Sequence, residues 1–392
     1  MNTEVFLKKH EQWLYLVAFP TGHAAVDWGS AAFWLLAPAM ALAMDLSATQ
    51  IGVLFVMRQI GGGIVQLPAG VIGDSISKRG RFLLATFWWV AVAQLFASVS
   101  PGYWSVGVFL ALASAGAAAW HPVAMGTMVQ RMPDRRAFAL AVHSIGGTVA
   151  EIVAPLLVGF LLVFLDWRQV LQISTVPAMI VGLMFLRLSA MVPASAEGAI
   201  TKSELRELAR AITRPTAMLV LLVLVLHNMS VLALMSMAPL YFQEVREFSS
   251  GLSGVAFAVF VISGAVAAPV IGRISDRAGR TPITLVGLLG GGISAWLITV
   301  APGTAGIFAL LFLTGFLMLT VRPVLMAMAL ETIGRREATV LGFISTIGEV
   351  VSAPAAAVAG MVADIDLTYP FILSAGLSGV AGFLVVVRTN SR

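Results

Sequence analysis

Apolar residues in this chain do not alternate with polar ones. They run on for about 20 residues or more, the length a helix needs to cross the hydrocarbon of a bilayer. Twelve such runs lie near 13–43, 50–73, 82–100, 104–130, 137–165, 169–190, 216–243, 251–273, 282–300, 304–330, 338–363 and 368–388. In hydrocarbon every backbone N–H and C=O must be bonded within the protein, and a helix does this within one segment. The pattern therefore predicts an all-α membrane protein of twelve transmembrane helices. The first run starts near Trp13, behind Lys8 and Lys9, and is far longer than the apolar core of a signal peptide. It reads as the first membrane helix and not as a cleaved leader.

One long polar connection, 192–215, divides the chain into a six-helix bundle over 1–191 and another over 216–392. Thr201 and Glu204 fit a capping box, and Leu205, Leu208, Ala209 and Ile212 recur at helical spacing opposite Arg206 and Arg210. A short amphipathic helix on the membrane surface is expected there.

Composition agrees with lipid as the main solvent: 59% of the 392 residues are hydrophobic and 11% charged, against about 25% charged in soluble domains. Cysteine is absent, so disulfides, thiolate metal sites and sulfur redox chemistry are excluded. The net charge of +5 comes from basic residues in short connections. Of 24 Lys and Arg, 20 fall on the side of the membrane that holds the termini, only Arg168 and Arg246 on the other, and Arg58 and Arg322 inside spans. The positive-inside rule then puts both termini in the cytoplasm of an inner-membrane protein and accounts for the charge without nucleic acid.

The two halves echo each other. Gly70 and Asp74 with Arg79 and Arg81 close the second span, and Gly272, Asp276, Arg277, Gly279 and Arg280 close the eighth, an offset of 202. His121-Pro122 against Arg322-Pro323 gives 201, Pro155 against Pro354 gives 199, and His23 against His227 gives 204. Four landmarks at nearly one offset indicate parallel six-span repeats.

On these residues the chain resembles the major facilitator superfamily. Its loop motif, Gly-x-x-x-Asp-Arg-x-Gly-Arg, is matched position for position by Gly272, Asp276, Arg277, Gly279 and Arg280. The first-half copy has three extra residues before Gly80-Arg81. The resemblance implies the major facilitator fold, two pseudo-symmetric six-helix bundles, with these loops as a conformational latch at the cytoplasmic side. Gly146, Gly147, Pro155 and Gly159 resemble the glycine-rich fifth span of exporters, with Ala154 where glycine is usual. Together with His23, Asp27 and His121-Pro122, they resemble the fosmidomycin-resistance-like drug/proton antiporter branch. Glu151 departs from that pattern, replacing a small residue.

Ionisable groups inside spans are costly and mark function or a structural ion pair. His23 and Asp27 are four apart and share a helix face, as do Gly147, Glu151, Pro155 and Gly159. Ser345, Glu349, Ala353 and Ala357 repeat that stripe in the eleventh span. Glu151, Asp27 and Glu349 are the candidate proton-coupling carboxylates. Arg58 and Arg322 need counter-anions, which for Arg322 are either Glu349 or Glu331 in a permanent pair, or a substrate anion. His121 is a proton relay or a core histidine, His143 reads as structural, and His227-Asn228 reads as cavity lining. The candidate substrate-contacting set is thus His23, Asp27, Arg58, His121, His227, Asn228 and Arg322.

The expectation is a monomeric, proton-coupled secondary transporter that exports a small organic compound by alternating access. Import of an organic anion, or transport of a divalent metal, are the alternatives. No Gly-x-Ser-x-Gly or His-Glu-x-x-His pattern occurs, so no enzyme, cofactor or bound metal is expected.

Overall fold

Every long apolar run becomes helix in the computed structural model, which describes residues 3–194, 202–333 and 337–390. The first half holds α1 (Thr3–Met44), α2 (Ala48–Ser75), α3 (Arg79–Val99), α4 (Tyr103–Arg131), α5 (Arg136–Leu161), α6 (Trp167–Ile173) and α7 (Val176–Leu188). A surface helix, α8 (Lys202–Ile212), follows where the amphipathic segment is expected; Thr201 of the capping box lies outside the described residues. The second half holds α9 (Pro215–Glu244), α10 (Ser250–Ala278), α11 (Arg280–Leu297), α12 (Gly303–Met318), α13 (Val321–Ile333), α14 (Glu337–Ser352), α15 (Pro354–Ala363) and α16 (Tyr369–Asn390). Among the described residues, twelve spans are long and apolar enough to cross a membrane.

Among the described residues, three spans are each built from two α-helices, which the apolar pattern does not reveal. The sixth is α6 and α7, the tenth α12 and α13, and the eleventh α14 and α15. A break inside hydrocarbon frees carbonyls that need donors. In the tenth span a hydroxyl supplies one: Thr320 donates to the Phe316 and Leu317 carbonyls at 3.0 Å. By contrast, α4 and α5 run unbroken through Pro122 and Pro155.

The hairpins opposite the termini form the distal end of the bundle, and there the halves are joined. One hydrophobic core includes Leu35, Phe55 and Val158 from the first half with Tyr241, Phe257 and Phe371 from the second. Two further cores remain within one half each: Tyr15, Phe87 and Phe185 in the first, Leu224, Leu325 and Val385 in the second. Close backbone approach across the halves also falls in the distal part. The Cβ position of Gly52 meets the Ala356 carbonyl, that of Gly360 meets the Ala48 carbonyl, and that of Gly254 lies 2.7 Å from the Pro155 carbonyl. Small residues permit such approach where lipid offers no hydrophobic drive between helices. The distal end is therefore sealed, and a central cavity opens toward the end that carries the termini.

A carboxylate reinforces the seal. Asp364, just beyond α15, accepts from the Ala48 N–H at 2.7 Å, the Thr49 N–H at 3.1 Å and the Thr49 hydroxyl at 2.5 Å. It thereby caps the N-terminus of α2 from the other half, where negative charge is favoured. Asp364→Ala is expected to shift the balance toward the distally open conformer by about 1 kcal/mol, roughly fivefold. The chain has no cysteine, so a single one placed at Ala363, which is 5% exposed, reports opening by its rate of thiol labelling. An unchanged rate would show that Asp364 does not hold the seal.

Candidate functional site

Near the middle of α1, one helical turn presents His23 and Asp27 on the same face, and neighbouring helices complete a cluster around them. Asp27 accepts from His121 Nε2 on α4 at 3.1 Å, and its other oxygen lies 3.1 Å from His23 Nε2. His23 Nδ1 donates to the His143 carbonyl on α5 at 2.8 Å. The His143 ring stacks on His23 with centroids 4.3 Å apart, and Trp120 packs against both, 5.3 Å from the His143 ring and 6.1 Å from that of His23. This packing depends on Gly146 and Gly147: a Cβ at the first would meet the Pro20 carbonyl, and one at the second would lie 2.6 Å from His23 Nε2.

Hydrogen-bond arithmetic constrains protonation. A backbone carbonyl can only accept, so His23 Nδ1 carries a hydrogen. In a neutral imidazole Nε2 is then a bare acceptor, yet it faces a carboxylate oxygen at 3.1 Å. Two bare acceptors repel at that distance, so a proton or another cation lies between them.

A second group of charges lies between the halves. Arg322, at the start of α13, is exposed to the cavity and makes no ion pair within 4.0 Å among the described residues. Its charge acts on Glu151 of α5, Glu349 of α14 and His227 of α9, groups from both halves. Glu151 is exposed to the cavity one turn beyond Gly147. Glu349 packs against Gly62 and Gly63 of α2, across the halves. Of the two carboxylates that could hold Arg322 permanently, Glu331 instead pairs with Arg280 at 2.7 Å, and Glu349 makes no contact ion pair with it.

The other candidates are packed into the helices. Arg58 is 9% exposed, with its guanidinium 4.2 Å from the Phe33 ring centre and one nitrogen donating to the Ser30 carbonyl at 3.3 Å. His227 is buried, while Asn228 beside it is partly exposed and its amide approaches Gly348.

Both loop motifs lie at the open end and close on their own halves. Asp74 pairs with Arg79 at 2.6 Å, and Arg79 also donates to the Gly73 carbonyl and to Gln130 of α4. Asp276 pairs with Arg280 at 3.1 Å. Gly279 has φ of 92°, a conformation that side chains oppose, so glycine is required between α10 and α11. Gly70 packs near Pro122, and Arg81 and Arg277 are exposed.

His143, read from the sequence as a structural residue near a helix end, is the member of the cluster that sequence reasoning left out. A usable signal existed: His143 and Gly147 are four apart and share a face, so the stripe that carries Glu151 extends back to it.

Two six-helix halves around a polar cavity, sealed at one end, define a multi-pass membrane carrier. The chain belongs to the Major Facilitator Superfamily, whose family model matches residues 21–356 and, in a second match, 249–392. Relatives include a putative metabolite transport protein of Haemophilus influenzae, 26% identical over 72% of either chain. A probable 4-methylmuconolactone transporter of Cupriavidus pinatubonensis is 25% identical over 72% of this chain and 68% of that one. The uncharacterized MFS-type transporter YwoD of Bacillus subtilis is 26% identical over 43% of this chain, which spans 37% of YwoD. Among solved structures, the nucleoside transporter NupG superposes with a TM-score of 0.78 at 14% identity, covering 96% of this chain and 98% of that one. A bacterial homolog of the human lysosomal transporter Spinster, inward-facing and unoccupied, gives 0.76 at 14% identity over 96% and 98%. The fold is thus that of transporters, and the chain is a transporter and not an enzyme.

Proposed function

We propose that the protein takes up a small organic anion together with protons by alternating access, as a monomer in the inner membrane with both termini in the cytoplasm. The observation that carries this reading is Arg322, a cavity-exposed guanidinium with no contact ion pair among the described residues and with Glu151 and Glu349 in its field. A substrate carboxylate can bind such a guanidinium through two parallel hydrogen bonds. Once it does, Glu151 no longer balances Arg322, and its ionised form loses support. Anion binding then favours proton binding. Ligands that favour each other's binding travel together, which is symport. Proton entry also offsets the cost of carrying an anion against a negative-inside potential, about 2.3 kcal/mol per charge per 100 mV. The names of the Haemophilus and Cupriavidus relatives support a small metabolite as cargo.

The export reading rests on the fifth span. There Gly159 packs near the Ser250 carbonyl and Gly254 near that of Pro155, a seam that a carrier working in either direction needs when its distal end is shut. That pattern therefore gives no sign to the transport. The loop clusters of Asp74 and Asp276 act, in this reading, as latches that exchange partners across the halves when the open end closes.

The test is the direction of the pH change in proteoliposomes on adding small carboxylates outside. Symport acidifies the lumen, whereas antiport makes it alkaline and would overturn the uptake reading.

A further inference from the structure

We propose that His23, Asp27, His121 and His143 form a binding site for one divalent transition-metal ion, of which zinc is the reference. With His23 Nδ1 committed to the His143 carbonyl, the contact between His23 Nε2 and the Asp27 carboxylate is bridged either by a proton or by a metal ion that takes its place. An imidazole that donates one nitrogen to a backbone carbonyl and offers the other to a shared centre has the usual bonding of a metal-ligating histidine. The spacing also fits. Asp27 oxygens lie 3.1 Å from both His23 Nε2 and His121 Nε2, close to the edge, about 3.3 Å, of a tetrahedron with bonds of about 2.0–2.1 Å.

His143 supplies the second, independent sign. It is 2% exposed, and neither ring nitrogen has a hydrogen-bond partner. Burying an unpaired imidazole costs free energy unless something occupies the space it faces. One of its nitrogens lies within 4.8 Å of ligand atoms of both His23 and His121. Gly147 leaves room beside His23 Nε2 that any other residue would fill. The donor set of imidazoles and one carboxylate suits zinc, copper(II) or nickel better than calcium or magnesium.

Asp27 and His121 side chains are 25% and 22% exposed, so an ion can enter from the cavity. All four donors lie on α1, α4 and α5 of one half. Rocking of the halves does not pull such a site apart, and the ion is therefore resident or inhibitory, not cargo.

The test is zinc binding to the purified full-length chain by calorimetry, with X-ray absorption at the zinc edge to read the donors. One ion per chain is expected, with two or three imidazole nitrogens and carboxylate oxygen as neighbours. Asp27→Asn and His121→Ala are each expected to weaken binding about tenfold or more. His143→Phe keeps the ring stack and removes only the nitrogens, so a weaker site in this variant cannot be ascribed to lost packing. Absence of saturable binding would overturn the proposal and leave a proton as the bridging cation. Binding undiminished in Asp27→Asn and His121→Ala would overturn it too, by placing the ion elsewhere. Neither result bears on the anion carried at Arg322.

Discussion

Arg322→Ala is expected to lower the transport of a small carboxylate by about 100-fold or more in kcat/KM, about 3 kcal/mol, while the protein inserts and melts as before. The separation of function from stability follows from the geometry. Arg322 faces the cavity and holds no contact ion pair among the described residues, so its removal breaks none of the packing. Arg322→Lys should recover part of the activity, because an ammonium restores the charge but not the planar fork that grips two carboxylate oxygens. The measurement is uptake of labelled carboxylates into proteoliposomes, beside the thermal unfolding of each variant. A variant that unfolds and is rescued by Glu349→Gln would show a structural pair between Arg322 and Glu349 instead of a substrate site.

The parts of this molecule that hydropathy and charge determine were legible in the sequence. Membrane spans are dictated by the thickness of hydrocarbon and need no knowledge of neighbours, so all twelve could be counted. Breaks within spans are another matter. Pro122 and Pro354 occupy similar apolar surroundings in the sequence, yet the first lies inside continuous helix and the second starts α15. What differs is tertiary: how closely α15 must approach Gly52 of α2.

The candidate site was legible residue by residue, but its assembly was not. His23 and Asp27 could be paired from their spacing along one helix, whereas the joining of His121 and His143 to them depends on how α4 and α5 cross α1. Arg58 and Arg322 looked equivalent as isolated charges within spans. Aromatic packing buries the first against Phe33, and the second is left facing the cavity. Which of two like charges meets substrate is a question of neighbours that periodicity does not answer.

Glu151→Gln is expected to keep substrate exchange and lose gradient-driven accumulation, with the steady-state ratio of internal to external substrate falling toward unity. Glu151 is the acid that replaces a small residue in the fifth span, and it is exposed to the cavity within the fields of Arg322, Asp27 and His23. When ionised it competes with a substrate anion for Arg322; when protonated it does not. Wild-type affinity should therefore be highest at low pH and fall as pH rises through the titration of Glu151. Glutamine removes the competing charge at every pH. The variant should bind substrate roughly fivefold more tightly at alkaline pH, about 1 kcal/mol, and show a flat pH profile. Glu349→Gln is the control, since Glu349 packs against Gly62 and Gly63 of α2 across the halves, and its loss should alter the balance of conformers without flattening the profile. Binding measured by calorimetry across pH, together with counterflow and accumulation in the same proteoliposomes, separates these outcomes. Full accumulation by Glu151→Gln with an unchanged pH profile would remove Glu151 from coupling and leave it as a residue that shapes the cavity wall.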